Sequence, residues 1–176
     1  MVAFSQSPEA LAWARQLLVE NWGPIAMESD LFDFDQTDYY RDEMGADLKK
    51  VIWAFELPAD PGELASWKRQ SNSWERNCRS PSGDKVERPL NLDPGYLSEA
   101  KLVLATTKDR DHRIYLGQGI FAECTLYFHK RQWEPRDWTY PDFCSAPYRA
   151  FLLDCRDYLR ERSRQESVEE GQGERR

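Results

Sequence analysis

The sequence predicts an α+β fold with a two-layer, ferredoxin-like core (βαββαβ), extended by a C-terminal β-hairpin and a final helix. The predicted elements run strand–helix–strand twice in succession over residues 2–92, which is the split βαβ order of a ferredoxin-like sheet. In that architecture the helices cover one face of the sheet. Alternation over residues 112–128 and a helical apolar stripe over 146–162 predict the two extensions.

The first strand–helix–strand unit begins with a short apolar strand at residues 2–5. The run Ser7-Pro8-Glu9 predicts a helix start, because serine caps the first turn, proline fits its first position and glutamate complements the dipole. The helix is expected to end at Trp22-Gly23-Pro24. Uneven alternation over residues 24–34 predicts the second strand.

The second unit begins at residues 50–57, whose two faces are both largely apolar, as in a central strand. Asp60-Pro61-Gly62-Glu63 predicts the next helix through an acidic capping box. Its two indoles, Trp67 and Trp74, share one face and are expected in the core. Residues 86–92 alternate and predict the last core strand.

The remaining elements follow this core. Over residues 97–106, either Ser98 caps a short helix or the segment is a buried strand, and we favour the helix. Gly117-Gln118-Gly119 predicts a type II′ hairpin turn, and the prolines and aromatics of 132–142 predict a loop. We therefore predict one α+β domain over residues 1–162 and a disordered polar tail over 163–176.

Composition narrows the class of protein. Hydrophobic residues make up 40% of the chain and aromatics 13%, which is typical of a packed core. The net charge of −7 argues against duplex nucleic acid as a partner, because such binding depends on neutralising phosphates. The chain shows no signal-peptide pattern, no long apolar run and no zinc spacing among its four cysteines. We expect a soluble, cytoplasmic protein with reduced thiols and no membrane partner.

Most of the candidate chemistry lies between residues 88 and 128. Three cations and two hydroxyl groups there suit a phosphate-sized anion. Neighbouring aspartates cancel part of the charge, so a solvated surface loop is the alternative. The candidate ligand-binding residues in this group are Lys101, Thr106, Thr107, Lys108 and Arg113.

His112 and Glu123 are the candidate proton-transfer pair. Histidine titrates near neutral pH, and a carboxylate in mid-strand must be paired or protonated if it is buried. For both residues the alternative is a structural role, with Arg113, Lys101 or Arg88 as the partner of Glu123.

Asp93 and the adjacent tyrosines complete the set of candidate ligand contacts. Asp93 precedes Pro94-Gly95 and is otherwise a turn residue; with His112 and Glu123 it could also supply hard metal ligands, but nothing fixes their distances and no metal site is assigned. Tyr39 or Tyr40 would cover the ligand as a lid, or one tyrosine would simply be buried. The sequence contains no P-loop, nucleophile-elbow, zincin or Rossmann motif.

Four motifs carry a family resemblance: GPIAMES…TDYYRDEMG, RPLNLDPGYLSEAKLVLATTK, HRIYLGQGIFAECTL and WTYPDF. Their order and spacing resemble the DUF4416 family, bacterial proteins of unknown function, over roughly residues 1–160. The resemblance does not indicate which activity the protein has, because the family has no assigned function. Some similar proteins carry a GTP-binding label, but this chain lacks G-x-x-x-x-G-K-[ST]. A short first strand and Cys124 depart from the family pattern, outside its polar motifs.

The sequence thus predicts a protein that binds, or binds and acts on, a phosphorylated or nucleotide-like small anion in a polar pocket formed by residues 88–128. The alternative is a non-catalytic protein-interaction module in which this stretch is structural. RNA binding, which the ferredoxin-like order would allow, lacks an RNP-like aromatic motif and is opposed by the acidic charge. The sequence does not identify a cofactor, a reaction or a protein partner.

Overall fold

The structure is a computed structural model that describes residues 1–34, 40–79 and 87–173, with side chains described up to residue 165. Its contacts divide the chain into two units. The first comprises Met1–Tyr96 and Leu104–Glu123, and the second comprises Leu97–Val103 and Cys124–Arg176. The single domain over residues 1–162 stays a prediction.

The predicted α+β class is confirmed: the described residues form two antiparallel sheets and four α-helices. In the first sheet the strand order is β2-β4-β1-β5, and β3 also pairs with β4. Its strands and the helices between them are β1 (Val2–Ser5), α1 (Pro8–Trp22), β2 (Ile25–Glu28), β3 (Phe32–Asp33), α2 (Arg41–Met44), β4 (Lys49–Phe55), α3 (Leu64–Asn77) and β5 (Asn91–Asp93).

Local sequence signals set the ends of the helices in this part. The Ser7 hydroxyl accepts a hydrogen bond from the Ala10 amide at 3.2 Å and caps α1. Gly23 ends α1 at a φ of 90°, which favours glycine. Asp60 accepts from the Gly62 amide at 2.8 Å at the start of the turn that leads into α3. These predicted start and stop signals are therefore confirmed.

The two faces of the first sheet bury different side chains. One face packs against α1 through a core that includes Ala3, Leu18, Val51 and Leu92. The other face carries a smaller cluster of Phe4, Phe34, Met44 and Leu48. Cross-strand register places Lys50 opposite Phe4, and Phe4 opposite Asn91, so these three side chains lie on this second face.

The second sheet has the order β10-β9-β7-β6, with β8 also paired to β9. Within the stretch 112–128, residues Ile114–Gly117 pair antiparallel with Ile120–His129, but the turn between them is not the predicted type II′. Gln118 and Gly119 both have positive φ, 57° and 76°, as a type I′ turn requires. The strands and the last helix are β6 (Gly95–Leu97), β7 (Lys101–Thr106), β8 (Ile114–Gly117), β9 (Ile120–His129), β10 (Gln132–Pro135) and α4 (Ala146–Gly173).

The favoured helix over residues 97–106 is wrong, because this segment forms the end of β6, a turn and β7. Ser98 caps the turn instead of a helix: its hydroxyl accepts from the amides of Ala100 at 3.3 Å and Lys101 at 3.2 Å. The buried pair Leu102 and Val103 points to opposite sides of the strand. A short run that is apolar on both sides fits a helix or a strand equally well until its partner strand is known.

Further boundaries differ from the predictions. The single strand predicted over residues 24–34 is divided into β2 (Ile25–Glu28) and β3 (Phe32–Asp33). The last core strand spans only Asn91–Asp93, and the beginning of its predicted range at Val86 lies outside the described residues. The predicted loop over 132–142 contains β10, in which Trp133 pairs with Phe128. Helix α4 continues to Gly173, past residue 162, because the charged and glutamine residues that follow are good helix formers. The disorder predicted for residues 163–176 stays a prediction.

Within the described residues, no helix combines the length and the apolar character needed to cross a membrane.

Candidate functional site

A buried carboxylate organises the loop after β7. The side chain of Glu123 is 5% exposed and that of Arg113 is 7% exposed. Arg113 Nε donates to Glu123 Oε2 at 2.8 Å, and its Nη1 donates to the Lys108 carbonyl oxygen at 2.8 Å. The ion pair therefore ties β9 to the loop and fixes the backbone at Lys108.

His112 lies in the same cluster between two carboxylates. Its Nε2 is 3.4 Å from Glu123 Oε2, and its Nδ1 is 3.2 Å from Asp111 Oδ1. The first carboxylate is buried and shared with Arg113, whereas Asp111 is exposed to solvent. The imidazole is thus held in one orientation, as a group that exchanges protons requires.

Lys108 and Arg88 both approach the ring of Tyr40. Arg88 Cζ lies 5.5 Å from the ring centroid and Lys108 Nζ lies 6.0 Å from it. Arg88 is anchored by Met44 Sδ at 3.4 Å and by the Glu43 carboxylate at 3.5 Å. Its buried Nε has no hydrogen-bond partner among the residues described. Two cations therefore lie within 6.0 Å of the centroid of one aromatic ring.

A third cation, Lys50, lies on the aromatic cluster next to Tyr40. Lys50 is 4% exposed, and its ammonium is 3.7 Å from the centroid of Phe34 and 5.1 Å from that of Phe4. The ring of Phe4 also contacts that of Tyr40, with centroids 5.0 Å apart. Cation–π attraction partly compensates the desolvation of the ammonium.

Asp93 is held by buried partners. Its Oδ1 accepts from Lys68 Nζ at 2.9 Å and its Oδ2 from Asn91 Nδ2 at 2.8 Å. Burial alone would raise the pKa of Asp93, but the charge and hydrogen bond of Lys68, helped by Lys50 and Asn91, bring it below its ordinary value. Asp93 therefore stays ionised, with 30% of its side chain still exposed.

Side chains of α3 cover the outer edge of β5. Leu92 donates its amide to Glu75 Oε1 at 2.7 Å, and its carbonyl accepts from Lys68 Nζ at 2.7 Å and Ser71 Oγ at 3.3 Å. Burial raises the pKa of Glu75; Lys68 opposes this effect and Asp93 adds to it. The helix thus satisfies backbone groups that a further strand would otherwise pair.

The Asp93 region and the Lys108 loop are directly linked. Ala105 donates its amide to the carbonyl of Pro94 at 2.9 Å, so β7 ends beside Asp93. The loop continues through Thr106, whose hydroxyl accepts from the Lys108 amide at 3.2 Å. Contacts therefore run from Asp93 through this loop to Lys108 and Tyr40.

The predicted site residues divide into several groups. One group of six lies in the first unit. Four are on β9 or in the loop after β7, and Thr106 is at the start of that loop. The sixth is Tyr40, whose ring centroid lies 6.0 Å from the Lys108 ammonium. Thr107 is exposed in the same loop, and Lys101 is exposed in the second unit. Tyr39 lies outside the described residues, and within the described part no group of three His, Cys, Asp or Glu residues could hold a metal ion. The six are Tyr40, Thr106, Lys108, His112, Arg113 and Glu123.

Sequence reasoning missed Lys50, Lys68, Asn91 and Glu75 as polar residues of this region. The sequence pattern places Lys68 and Glu75 away from the helix face that carries Trp67 and Trp74. The structure packs Trp74 against the core, and it also buries Lys68 together with Leu64 and Ser71. The spacing of 4 and 3 residues between Leu64, Lys68 and Ser71 is visible in the sequence. A lysine at that spacing indicates a buried residue only when the unpaired backbone groups at the edge of β5 are known.

The fold and these contacts define an α+β protein whose first unit contains paired, partly buried cations and carboxylates. The chain belongs to the DUF4416 family, described as a domain of unknown function, whose model matches residues 1–158. The search of curated proteins gave no match, and neither did the search of solved structures.

Proposed function

We propose that the protein binds a small phosphorylated or nucleotide-like anion at a site formed by Tyr40, Arg88 and Lys108. The observation that carries this proposal is the approach of both cations to one tyrosine ring, at 5.5 Å and 6.0 Å. Arg88 reaches the Glu43 carboxylate only at 3.5 Å, and its buried Nε has no hydrogen-bond partner among the described residues. An anion would receive charge-assisted hydrogen bonds from Arg88 and Lys108.

The arrangement of supporting residues favours a binding site over a solvated loop. A loop lysine normally gains little from its neighbours, yet here a buried ion pair is used to hold the Lys108 backbone. Burying Arg113 and Glu123 has a desolvation cost that must be offset by their mutual contacts. In the proposal these two residues position the loop, and Thr106 and Thr107 supply additional donors.

His112 is the residue through which the site would transfer a proton. Its ring is oriented by Glu123 at 3.4 Å and Asp111 at 3.2 Å. Histidine is the side chain whose ordinary pKa lies closest to neutral pH. The proposed catalytic assignment is therefore His112 as the acid or base, with Glu123 as its orienting partner.

The test is calorimetric titration of the protein with orthophosphate, a sugar phosphate and a nucleoside monophosphate. Lys108→Ala and Arg88→Met should each weaken binding at least tenfold, because a hydrogen bond to a charged group contributes about 1.5–3 kcal/mol. Arg110→Ala removes an equal charge from an exposed side chain of the same loop and should leave affinity within about twofold.

Two results would contradict the proposal. One is the absence of binding by any of the three anions to the wild-type protein. The other is an equal loss of affinity in Arg110→Ala and Lys108→Ala, because that would reflect the general field of the loop and not a localised site.

We also propose that the first sheet is ferredoxin-like. The support is its strand order β2-β4-β1-β5, with β1 antiparallel to both β4 and β5 and β2 antiparallel to β4, together with the crossover helices α1 and α3. An experimental structure in which β1 does not lie between β4 and β5 would refute it.

We further propose a cytoplasmic location in a bacterial cell. The support is the set of four unpaired cysteines, two of them buried, because thiols remain reduced in the cytosol. Fractionation of cells that express the chain would test this location.

A specific observation favours the second candidate, a protein-interaction module. Strand β8 exposes three consecutive apolar residues, Ile114 at 70%, Tyr115 at 60% and Leu116 at 41%. Large exposed apolar groups on a strand are typical of interaction surfaces. If this function is the correct one, Ile114→Ser with Leu116→Ser abolishes capture of a partner in a pull-down, whereas Lys108→Ala does not.

A further inference from the structure

We infer that the ligand is a phosphate ester with a hydroxyl or amino group close to the phosphate: Arg88 and Lys108 bind the phosphate, and Asp93 accepts a hydrogen bond from the adjacent donor. This inference rests on the proposed anion site and specifies its substrate class. Sugar phosphates and nucleotides belong to this class, whereas orthophosphate and simple alkyl phosphates do not.

The state of Asp93 is the first support. An ionised carboxylate has about four lone-pair positions, and two of them are used by Lys68 and Asn91. Both partners are buried, at 5% and 4% exposure, so they fix the carboxylate from the protein side. The exposed part of the side chain keeps acceptor positions for a ligand.

The second support is that residues around the proposed site are linked in a closed series. Pro94, next to Asp93, accepts a hydrogen bond from Ala105, which precedes the loop that carries Lys108. The Lys108 ammonium in turn lies 6.0 Å from the ring centroid of Tyr40. The ring of Tyr40 packs on Phe4, and Phe4 lies under the Lys50 ammonium. The charge of Lys50 in turn acts on Asp93. Asp93, Lys108 and Tyr40 therefore belong to one continuous series of contacts within the first unit.

The third support is the chemical cost of placing a carboxylate beside an anion site. Asp93 repels a ligand that offers only negative charge, and a ligand without a donor leaves its acceptor positions unpaired. A ligand that donates a hydrogen bond removes this penalty. Sites built around a polar partner discriminate strongly against analogues that lack it.

The experiment compares ribose 5-phosphate with methyl phosphate by calorimetry. The wild-type protein should bind ribose 5-phosphate at least tenfold more tightly, as expected for one hydrogen bond to a charged group. Asp93→Asn should reduce this preference to threefold or less, mainly by weakening the binding of ribose 5-phosphate. Asp33→Asn, at an exposed position of the same sheet, should keep the full preference.

A second variant serves as a control for misfolding, because Asp93→Asn leaves the Lys68 ammonium without its nearest carboxylate. Lys68→Met combined with Asp93→Asn removes both charges and should also lose the preference. A wild-type protein that binds both phosphates equally, or a folded Asp93 variant that retains the preference, overturns this inference while the anion site stands. Failure of both phosphates, and also of orthophosphate and a nucleoside monophosphate, to bind the wild-type protein overturns the proposed function itself.

Discussion

At the scale of single residues, two carboxylates on either side of Lys68 respond to burial in opposite ways. Asp93 has a lowered pKa because Lys68, Lys50 and Asn91 outweigh its burial, and Glu75 has a raised pKa because burial outweighs Lys68. The distances agree with this difference: Lys68 Nζ is 2.9 Å from Asp93 and 3.8 Å from Glu75. Lys68 is thus paired more closely with Asp93 than with Glu75.

These shifts predict how the stability depends on pH. A lowered pKa in the folded state means that the contribution of Asp93 is present above its unfolded pKa and is lost as pH falls through the folded value. A raised pKa means that Glu75 favours the folded state most at low pH, and that this contribution is lost as pH rises from its unfolded pKa through its folded value.

The free energy of unfolding of Glu75→Gln should therefore increase, relative to that of the wild type, as the pH rises from 4 to 7. Glutamine keeps an oxygen for the Leu92 amide and removes a charge that is costly to bury. Urea unfolding of both proteins across this range measures the difference. Glu63→Gln, at an exposed position before α3, is the control and should show no such trend. A constant difference for Glu75→Gln would contradict the raised pKa.

At the scale of elements, α3 closes the open edge of β5 with side chains. Lys68, Ser71 and Glu75 together bond to the amide and carbonyl of Leu92. An edge strand with unpaired groups is open to pairing with other chains. The helix therefore protects the sheet as well as packing on it, which explains why it buries a charged stripe.

Lys68→Met should destabilise the protein by about 3 kcal/mol, near the lower end for breaking a buried ion pair, because Asp93 is still partly exposed. Denaturant unfolding at pH 7 measures the loss. Arg76→Met, on an exposed position of the same helix, should change stability by less than about 0.5 kcal/mol. Similar losses in the two variants would mean that the edge of β5 does not depend on Lys68.

The elements also show where sequence reasoning succeeds. Helices α1 and α3 were predicted because Ser7 and Asp60 act through bonds to residues two or three positions away. Strand β7 was only the less favoured alternative to a helix, because Leu102 and Val103 are buried by partners far away in the sequence. The same difference applies to the candidate site. The sequence singles out Lys108, His112, Arg113 and Glu123 as polar residues before and within an apolar hairpin. It gives no sign that Lys50 and Lys68 are buried, because the residues that bury them are distant in the chain.

At the scale of the whole molecule, the net charge of −7 contrasts with the cations gathered around Tyr40. An acidic protein repels anions at long range, so affinity must come from contacts within a Debye length of about 8 Å. Arg88 and Lys108 both lie within that distance of the Tyr40 ring. The proposed site therefore depends on local geometry and not on the overall field.

This dependence predicts a local pattern in hydrogen exchange. At 100 times its dissociation constant, ribose 5-phosphate should add about 2.7 kcal/mol to the free energy of unfolding, which slows every amide that exchanges through global unfolding. Amides that exchange by local opening report the site itself. We expect added protection of this local kind at residues 40–44, 88–94 and 105–113, all in the first unit.

The matched region for this measurement is the tight turn between β9 and β10, where Lys130 and Arg131 have positive φ and are exposed. It carries two cations, as the proposed site does, but both are exposed, and its amides should exchange at the same rate with and without ligand. Protection there and none at residues 105–113 would place the anion in the second unit. In that case the buried Glu123–Arg113 pair would serve only to hold the hairpin of the first unit.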